Sequence, residues 1–436
     1  MPYNRHARRL LAGLLCVFFS AALTSCASKA NPVTESSPSS ANQSSAPNSQ
    51  FVTHLTPNGT GIVRSVPSSP PSYTLTKPIS ASDSFDIRWL DCPKYLNAGM
   101  LEKLKASIPN ISFNSETVWP KDMPSGYDPT AIMNAGKNPG LGVDALHSEG
   151  ITGKGVSVAI IDQTLFTGHR EYKDNLALYE EIHVMPDEPA SMHGSAVASI
   201  AVGKSCGVAP DAKLYYWAVN LAKDPYSQSA SDADIAFSDG AAAAVDRMLA
   251  VNDTLPQNEK IRVLTISRGF RNLKDAGVQT FLKAIKRAQN AGIFVLTTST
   301  FQYSDFMSRD TDFAGLGKAS LTGDADNLST YTLGRFEQAH AETYCNKLLV
   351  PMDFRTTADP SGTSDYAFYS DGGFSWVAPY LAGLYALSVQ TKPDITPQIF
   401  WKAALNTSSE LTVTLSQKQY VFHHVINPAK LIGSLK

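Results

Sequence analysis

Three side chains of complementary chemistry occur along this 436-residue chain in the order carboxylate, imidazole, hydroxyl. Asp162 ends an apolar stretch, His193 begins a run of small residues, and Ser375 follows a pair of glycines. A serine becomes a nucleophile when an imidazole takes its proton and a carboxylate orients that imidazole. Together the three residue types suit acyl transfer through a covalent intermediate.

Each of the three residues also has an ordinary structural role. Ser375 could cap a helix by accepting a hydrogen bond from a free backbone amide, and Asp162 could cap a turn. A single histidine such as His193 is more often a core or surface residue than a base. The case for chemistry therefore depends on the order of the three residues and on the elements that position them.

Those elements are predicted from the local sequence. The apolar, β-branched stretch 156–162 is typical of a strand buried on both faces of a parallel sheet, and Asp162 stands at its carboxyl end, where α/β proteins bind ligands. Small residues after His193 predict a helix packed closely on that sheet, with the histidine in its first turn. The glycines before Ser375 predict a tight turn into a buried helix, whose free amides favour negative charge.

Strands and helices alternate through the same part of the chain. Further strands are predicted at 214–219, 261–267 and 293–298, and helices at 232–251 and 278–291. This alternation predicts an α/β fold, a doubly wound, mostly parallel sheet flanked by helices, for residues 138–436.

Several motifs resemble those of the subtilisin-like serine proteases. They are Val158-Ala159-Ile160-Ile161-Asp162, His193-Gly194-Ser195-Ala196-Val197-Ala198, Gly207-Val208-Ala209-Pro210, Gly373-Phe374-Ser375-Trp376-Val377-Ala378-Pro379 and the closing His424-Val425-Ile426-Asn427-Pro428-Ala429. The order Asp, His, Ser belongs to this family, whereas the chymotrypsin and α/β-hydrolase orders differ.

The resemblance implies a role for each matched residue. Asp162 would orient His193, His193 would act as general base and acid, and Ser375 would be the acylated nucleophile. A peptide substrate would add as an extended strand beside Ser267 and Gly269. No cofactor is indicated. Many members of the family bind calcium, but the acidic residues at 324–326 are too generic to assign such a site.

One departure from the family concerns the oxyanion. The family normally places an asparagine donor just after the strand predicted at 293–298, and an ungapped match puts Phe301 there. A hydroxyl of Ser299 or Thr300, or the amide of Gln302, could donate instead, beside the backbone amide of Ser375. Losing such a donor costs about 10²–10³ in turnover, so a slow protease and a catalytically silent peptide-binding pseudoprotease both stay open. An esterase with the same residues is a third alternative.

Two smaller departures flank the candidate residues. The family usually follows its aspartate with Thr-Gly or Ser-Gly, whereas Gln163-Thr164 follow Asp162 here, so this turn must be built differently. Trp376 replaces a smaller side chain beside the nucleophile.

The N-terminus resembles a bacterial lipoprotein signal. Arginines precede an apolar run at 10–23 that is too short for a comfortable membrane span. The run ends in Leu23-Thr24-Ser25-Cys26, which looks like a lipobox, with Cys26 as the lipidated residue. An ordinary secretory signal is the alternative. We interpret 1–25 as a lipoprotein signal peptide.

The residues that follow are predicted as a tether and a small module. Ser, Pro and Asn dominate 26–80, which predicts a disordered tether. Residues 81–137 are predicted as a small α/β-type N-terminal extension. Cleavage there would release the domain from its lipid anchor, so we interpret the extension as permanent rather than as a removed pro-region.

Composition narrows the class of function. The net charge of −2 gives no indication of the basic face that nucleic-acid binding would need. The five cysteines show neither paired spacing nor a C-x-x-C, so neither a disulfide framework nor a zinc knuckle is indicated. The sequence thus predicts an extracytoplasmic serine endopeptidase that is anchored to the cell membrane and acts on a polypeptide. It carries no signal for an oligomeric state.

Overall fold

The computed structural model describes residues 52–55, 64–65, 85–219, 230–269, 276–299 and 312–436. The predicted signal peptide and Cys26 lie outside these residues. The strands are β1 (Val52–His54), β2 (Phe85–Asp86), β3 (Ile111–Asn114), β4 (Ser157–Asp162), β5 (Leu176–Val184), β6 (Lys213–Val219), β7 (Ile261–Ile266), β8 (Phe294–Thr297), β9 (Phe313–Lys318), β10 (Tyr331–Leu333), β11 (Leu348–Pro351), β12 (Arg355–Ala358), β13 (Tyr366–Tyr369), β14 (Ser409–Leu415) and β15 (Lys418–Val425). The α-helices are α1 (Cys92–Tyr95), α2 (Ala98–Ala106), α3 (Pro129–Ala135), α4 (Val143–Ser148), α5 (Met192–Val202), α6 (Ala230–Thr254), α7 (Ala276–Asn290), α8 (Phe374–Thr391), α9 (Pro397–Asn406) and α10 (Pro428–Leu435).

A six-stranded sheet with the order β1-β5-β6-β4-β7-β8 forms the centre of the molecule. Its strands run parallel except β1, which pairs antiparallel with β5 at the edge. The α/β class predicted from the sequence is confirmed, and β4, β6, β7 and β8 were all predicted. β5 was not predicted.

The central strand β4 divides two hydrophobic cores because successive side chains point to opposite faces of a sheet. Val158 and Ile160 face the core that contains α5 and α8. Ala159 and Ile161 face the core that contains α7 and the described side chains of α6. Burial on both faces explains why this strand is apolar up to Asp162 and why polar chemistry starts only at its end.

Two further sheets flank this centre, with the orders β10-β9-β11-β15-β14 and β12-β13-β3-β2. In the second sheet, β3 pairs with β13, so the residues predicted as an N-terminal extension share a sheet with two strands that lie more than 200 residues later in the chain, β12 and β13. Within the predicted extension, strand β2 is limited to Phe85–Asp86, because the chain turns at Trp89, whose φ is 62°. The domain boundaries themselves stay predictions.

Two stretches of the predicted disordered tether have defined structure. Val52–His54 forms the edge strand β1, and the side chain of Arg64 is buried with 7% exposure. The prediction of a disordered tether is corrected at these residues. Arg64 forms an ion pair with Glu181, a partner distant in sequence that local composition does not reveal. Among the described residues, no helix has the length and apolar character needed to cross a membrane.

Candidate active site

Asp162 and His193 form a hydrogen-bonded pair at the carboxyl end of β4. The Oδ1 atom of Asp162 lies 2.7 Å from Nδ1 of His193 and also accepts a 2.8 Å bond from the backbone amide of Gln163. The aspartate is 2% exposed. A buried carboxylate on Nδ1 fixes the orientation of the imidazole and leaves Nε2 for proton transfer.

The cap of α5 places His193. The N-cap residue Ser191 accepts a 3.1 Å bond from the amide of His193, and its own amide donates to the carbonyl of Thr164 at 3.0 Å. The Ser191 hydroxyl also bonds to the side chain of Gln163. The hydrogen bonds of Ser191 to Gln163 and Thr164 therefore stabilise the unusual turn that follows Asp162.

Gly194 lets the two loops come this close. A β-carbon at this position would lie 2.8 Å from the carbonyl oxygens of both Gln163 and Thr164, and would run into the hydroxyl of Tyr216. That hydroxyl donates to the carbonyl of Gln163 at 2.5 Å. The glycine after the histidine is thus required by close packing.

The pKa of His193 results from opposing effects. Burial of the imidazole favours its neutral form, but the charge of Asp162 and the hydrogen bond to it outweigh burial and raise the pKa of His193 above its ordinary value. The positive charge of Arg268 acts against this rise. The imidazole is thereby a stronger proton acceptor than a free histidine.

Ser375 lies in the first turn of α8 but does not cap the helix. The N-cap is Gly373, whose φ of 68° suits glycine, and no side chain caps this end. The Ser375 hydroxyl donates a long bond of 3.3 Å to the carbonyl of Ser267, and the Ser267 hydroxyl donates to the carbonyl of Ser375 at 2.9 Å. This reciprocal pair fixes the start of α8 beside the end of β7.

Trp376 connects the start of α8 to the imidazole. Its ring centroid lies 5.5 Å from that of His193, and it packs edge-to-face on Tyr369 at 5.3 Å. The tryptophan is 3% exposed, so it shields one side of the imidazole from water. The residue that follows Ser375 therefore contacts His193, and the end of the sheet brings the three candidate residues into one region.

The predicted substrate-binding residues lie where β7 and β8 end. A β-carbon on Gly269 would lie 3.0 Å from the hydroxyl oxygens of Thr298 and Ser299, and the carbonyl of Arg268 accepts a 3.2 Å bond from the amide of Thr298. Ser267 contacts Ser375 as described above, and Ser299 is 4% exposed. Thr300, with Phe301 and Gln302, lies outside the described residues.

Asp353 supports the loop before Ser375 and was not predicted from the sequence. Its carboxylate accepts bonds from the amides of Gly372 at 2.9 Å and Arg335 at 3.0 Å. Burial raises the pKa of Asp353 to about 7 and that of neighbouring Glu337 to about 8. The signal was available, because Asp353 comes two residues after the buried apolar strand β11, and Asp162 likewise stands at the end of a buried apolar strand.

The remaining candidate ligands are engaged within the protein. Asp326 accepts bonds from the side chain of Asn138 and the amide of Gly142, and Asp324 accepts one from the amide of Asp326. Among the described residues, no group of three or more His, Cys, Asp or Glu side chains is arranged to hold a metal ion. Cys92, Cys206 and Cys345 are free thiols.

Comparison with known proteins places this region in a family. The family model described as "Subtilase family" matches residues 153–300, which include Asp162 and His193 but not Ser375. The chain is 24% identical over 281 residues to "Subtilisin-like protease PopC" of Myxococcus xanthus (strain DK1622), covering 58% of this chain and 56% of that protein. It is 29% identical over 144 residues to "Minor extracellular protease Vpr" of Bacillus subtilis (strain 168), covering 30% and 18%.

This chain thus spans little more than half the length of one of these relatives and less than a fifth of the other. Among solved structures, fervidolysin from Fervidobacterium pennivorans is similar with a TM-score of 0.45 at 16% identity, over 72% of this chain and 49% of that one. Residues 153–300 therefore match the subtilase family, and the chain is similar to subtilisin-like serine proteases.

Proposed function

We propose that this protein is a serine endopeptidase that uses Asp162, His193 and Ser375. The observation that carries the proposal is the 2.7 Å bond between a buried Asp162 carboxylate and the imidazole of His193. Packing of Trp376 against that imidazole supports it, because it brings the start of α8, with Ser375, to the same place.

The proposed reaction uses these three residues in sequence. Nε2 of His193 takes the proton of the Ser375 hydroxyl while Oγ bonds to the peptide carbonyl carbon, whose π electrons move to oxygen. Collapse of this intermediate breaks the C–N bond, and His193 returns the proton to the leaving amine. Water then hydrolyses the acyl-enzyme with the same histidine as base. The long bond from Ser375 to Ser267 is the one that must break first.

The oxyanion would form at the start of an 18-residue helix. Backbone amides in the first turn of α8 and the positive end of its dipole stabilise negative charge there. A hydroxyl of Ser299 or Thr300 would be the second donor in place of the family asparagine. Because a serine or threonine hydroxyl can rotate, we expect slower turnover than in relatives with that asparagine.

The substrate would be a polypeptide in an extended conformation beside the end of β7, next to Ser267 and Gly269. We further propose that lipidation of Cys26 anchors the protein outside the cytoplasm at the bacterial cell membrane. Incorporation of an alkyne-labelled fatty acid in cells, compared between the wild type and Cys26→Ser, tests this anchor. Equal incorporation in both would reject it.

Labelling with a fluorophosphonate probe tests the catalytic proposal. We expect labelling of the wild type and its loss in Ser375→Ala and His193→Ala. Ser408→Ala is the control, because the Ser408 hydroxyl lies 2.9 Å from the imidazole of His424, a serine–histidine pair that includes none of the three candidate residues. This control should keep full labelling. A folded wild type that is never labelled would favour the silent peptide-binding protein, and preference for esters over peptides would favour an esterase.

A further inference from the structure

The buried side chain of Arg64 is the centre of an unexpected contact. Its guanidinium forms a bidentate pair with Glu181, with both bonds at 2.6 Å. It also donates to the carbonyls of Met185, Pro186 and Glu188 at 3.0, 2.6 and 3.0 Å. Burying a guanidinium is unfavourable unless it is paired and hydrogen-bonded, and here both conditions are met. This contact is therefore a specific docking site within the chain.

Two further contacts hold the same part of the N-terminus. The carbonyl of Ser65 accepts a 3.0 Å bond from the amide of Ala190. Strand β1 pairs with β5, with Val52 opposite Val184 and His54 opposite Glu181. We call residues 52–55 and 64–65 the N-terminal latch.

The latch is connected to the histidine through the loop at 185–190. Three carbonyls of this loop bind Arg64, and the amide of Ala190 binds Ser65. The next residue is Ser191, the cap of α5 that bonds to the amide of His193. The latch thus fixes the chain directly before the imidazole.

The latch is also connected to the aspartate. Oε1 of Glu181 accepts a 2.8 Å bond from the hydroxyl of Tyr179, and this hydroxyl accepts a 3.2 Å bond from the amide of Leu165. Leu165 lies in the loop directly after Asp162. In addition, the Thr164 hydroxyl donates to the carbonyl of Pro189 at 2.7 Å. Both loops that carry the Asp162–His193 pair therefore meet at the Arg64–Glu181 contact.

We propose that the N-terminal latch is a positioning element for the Asp162–His193 pair and that Arg64 acts through the loops at 163–165 and 185–190. The proposal rests on the proposed function for its kinetic consequences. It also distinguishes the latch from a pro-region. Removal of the chain up to residue 65 lowers activity, whereas removal of an inhibitory pro-region raises it.

Steady-state kinetics of Arg64→Gln test the latch. Because a misplacement of about 1 Å costs about a hundredfold in rate, we expect kcat to fall by about tenfold to a hundredfold. KM should change by less than about twofold, because the hydrogen bonds of Arg64 described above involve none of Ser267, Gly269 and Ser299. Arg247→Gln is the matched control: Arg247 makes a bidentate pair with Glu180, the neighbour of Glu181 on β5, but no contact with either loop. Equal kcat in Arg64→Gln and Arg247→Gln would overturn the proposal.

A double variant separates positioning from stability. Arg64→Gln with Glu181→Gln leaves no unpaired buried carboxylate at position 181, so its thermal stability should recover relative to Arg64→Gln alone. Its kcat should stay low, because the bonds to the loop carbonyls are still missing. Recovery of kcat together with stability would show a merely structural contact. Should Arg64→Gln not fold, Arg64→Lys, which keeps the charge but cannot pair in a bidentate manner, takes its place in each comparison.

Hydrogen exchange measured by mass spectrometry gives a readout that needs no activity. Amides at 185–191 should exchange faster in Arg64→Gln than in the wild type, while those of β4 should not change. Unchanged exchange at 185–191 would overturn the latch whether or not the protein is a peptidase. If exchange at 185–191 is faster in Arg64→Gln but the wild type shows no turnover, the proposed function is rejected and the latch is supported.

Discussion

Gly194→Ala adds one methyl group between the two loops that carry Asp162 and His193. The new β-carbon would lie 2.8 Å from the carbonyl oxygens of Gln163 and Thr164, whereas ordinary van der Waals contact begins near 3.4 Å. The difference, 3.4 minus 2.8, requires each carbonyl to move by about 0.6 Å if the helix stays in place.

A shift of Gln163 acts directly on Asp162, because the two residues are joined by a hydrogen bond. The amide of Gln163 donates to Oδ1 of Asp162, the same oxygen that holds Nδ1 of His193. Tyr216 resists the shift, because its hydroxyl donates to the carbonyl of Gln163. We expect overpacking to lower the free energy of unfolding by about 1–3 kcal/mol. A shift of several tenths of an ångström in the imidazole should lower kcat by about tenfold to a hundredfold.

The assay combines cleavage of a fluorogenic peptide, the rate of fluorophosphonate labelling and chemical denaturation. Gly168→Ala is the matched control from the same loop region, because its β-carbon would meet only Phe166, at an ordinary 3.6 Å. Its kcat and stability should stay close to the wild type. If Gly194→Ala retained the kcat of Gly168→Ala, the close packing around His193 would not control the catalytic geometry, and the reasoning would be refuted.

Two pH effects follow from buried groups. The pKa of Glu337 is raised from 4.5 to about 8, chiefly by burial, so its contribution to stability is fully present below pH 4.5 and is lost as the pH rises through 8. Because one pKa unit corresponds to about 1.4 kcal/mol, Glu337→Gln should raise the free energy of unfolding at pH 9 by up to about 5 kcal/mol and change it little at pH 4. Urea denaturation at the two pH values measures this difference. Equal effects of the substitution at both pH values would contradict the prediction. The raised pKa of His193 means that protonated histidine stabilises the fold below pH 6.5, and this contribution is lost as the pH rises through the folded-state pKa. Because catalysis needs the neutral imidazole, kcat/KM should rise with pH through that pKa. Asp162→Asn should move this rise to lower pH and lower kcat by about 10⁴-fold. A pH profile that does not move would show that Asp162 does not set the pKa of His193.

The sequence alone determined the local chemistry of the site. An apolar β-branched run predicts a strand buried on both faces, and Asp162 is the polar residue that ends this strand, β4. Small residues predict the close packing of α5, and the glycines before Ser375 predict the tight turn into α8. These features depend on neighbouring residues only, and the structure has β4, α5 and α8 where they were predicted.

The tertiary structure decided what lies beyond neighbouring residues. Strand β5 is nine residues long and holds Glu180 and Glu181, both fully buried, in a stretch that local composition does not identify as buried. Each glutamate is stabilised there by an arginine distant in sequence, Arg247 for the first and Arg64, 117 residues away, for the second. A buried carboxylate is unfavourable without such a partner, and no local pattern of residues reports where that partner will be. For this physical reason the latch on the Asp162–His193 loops became visible only in the folded molecule.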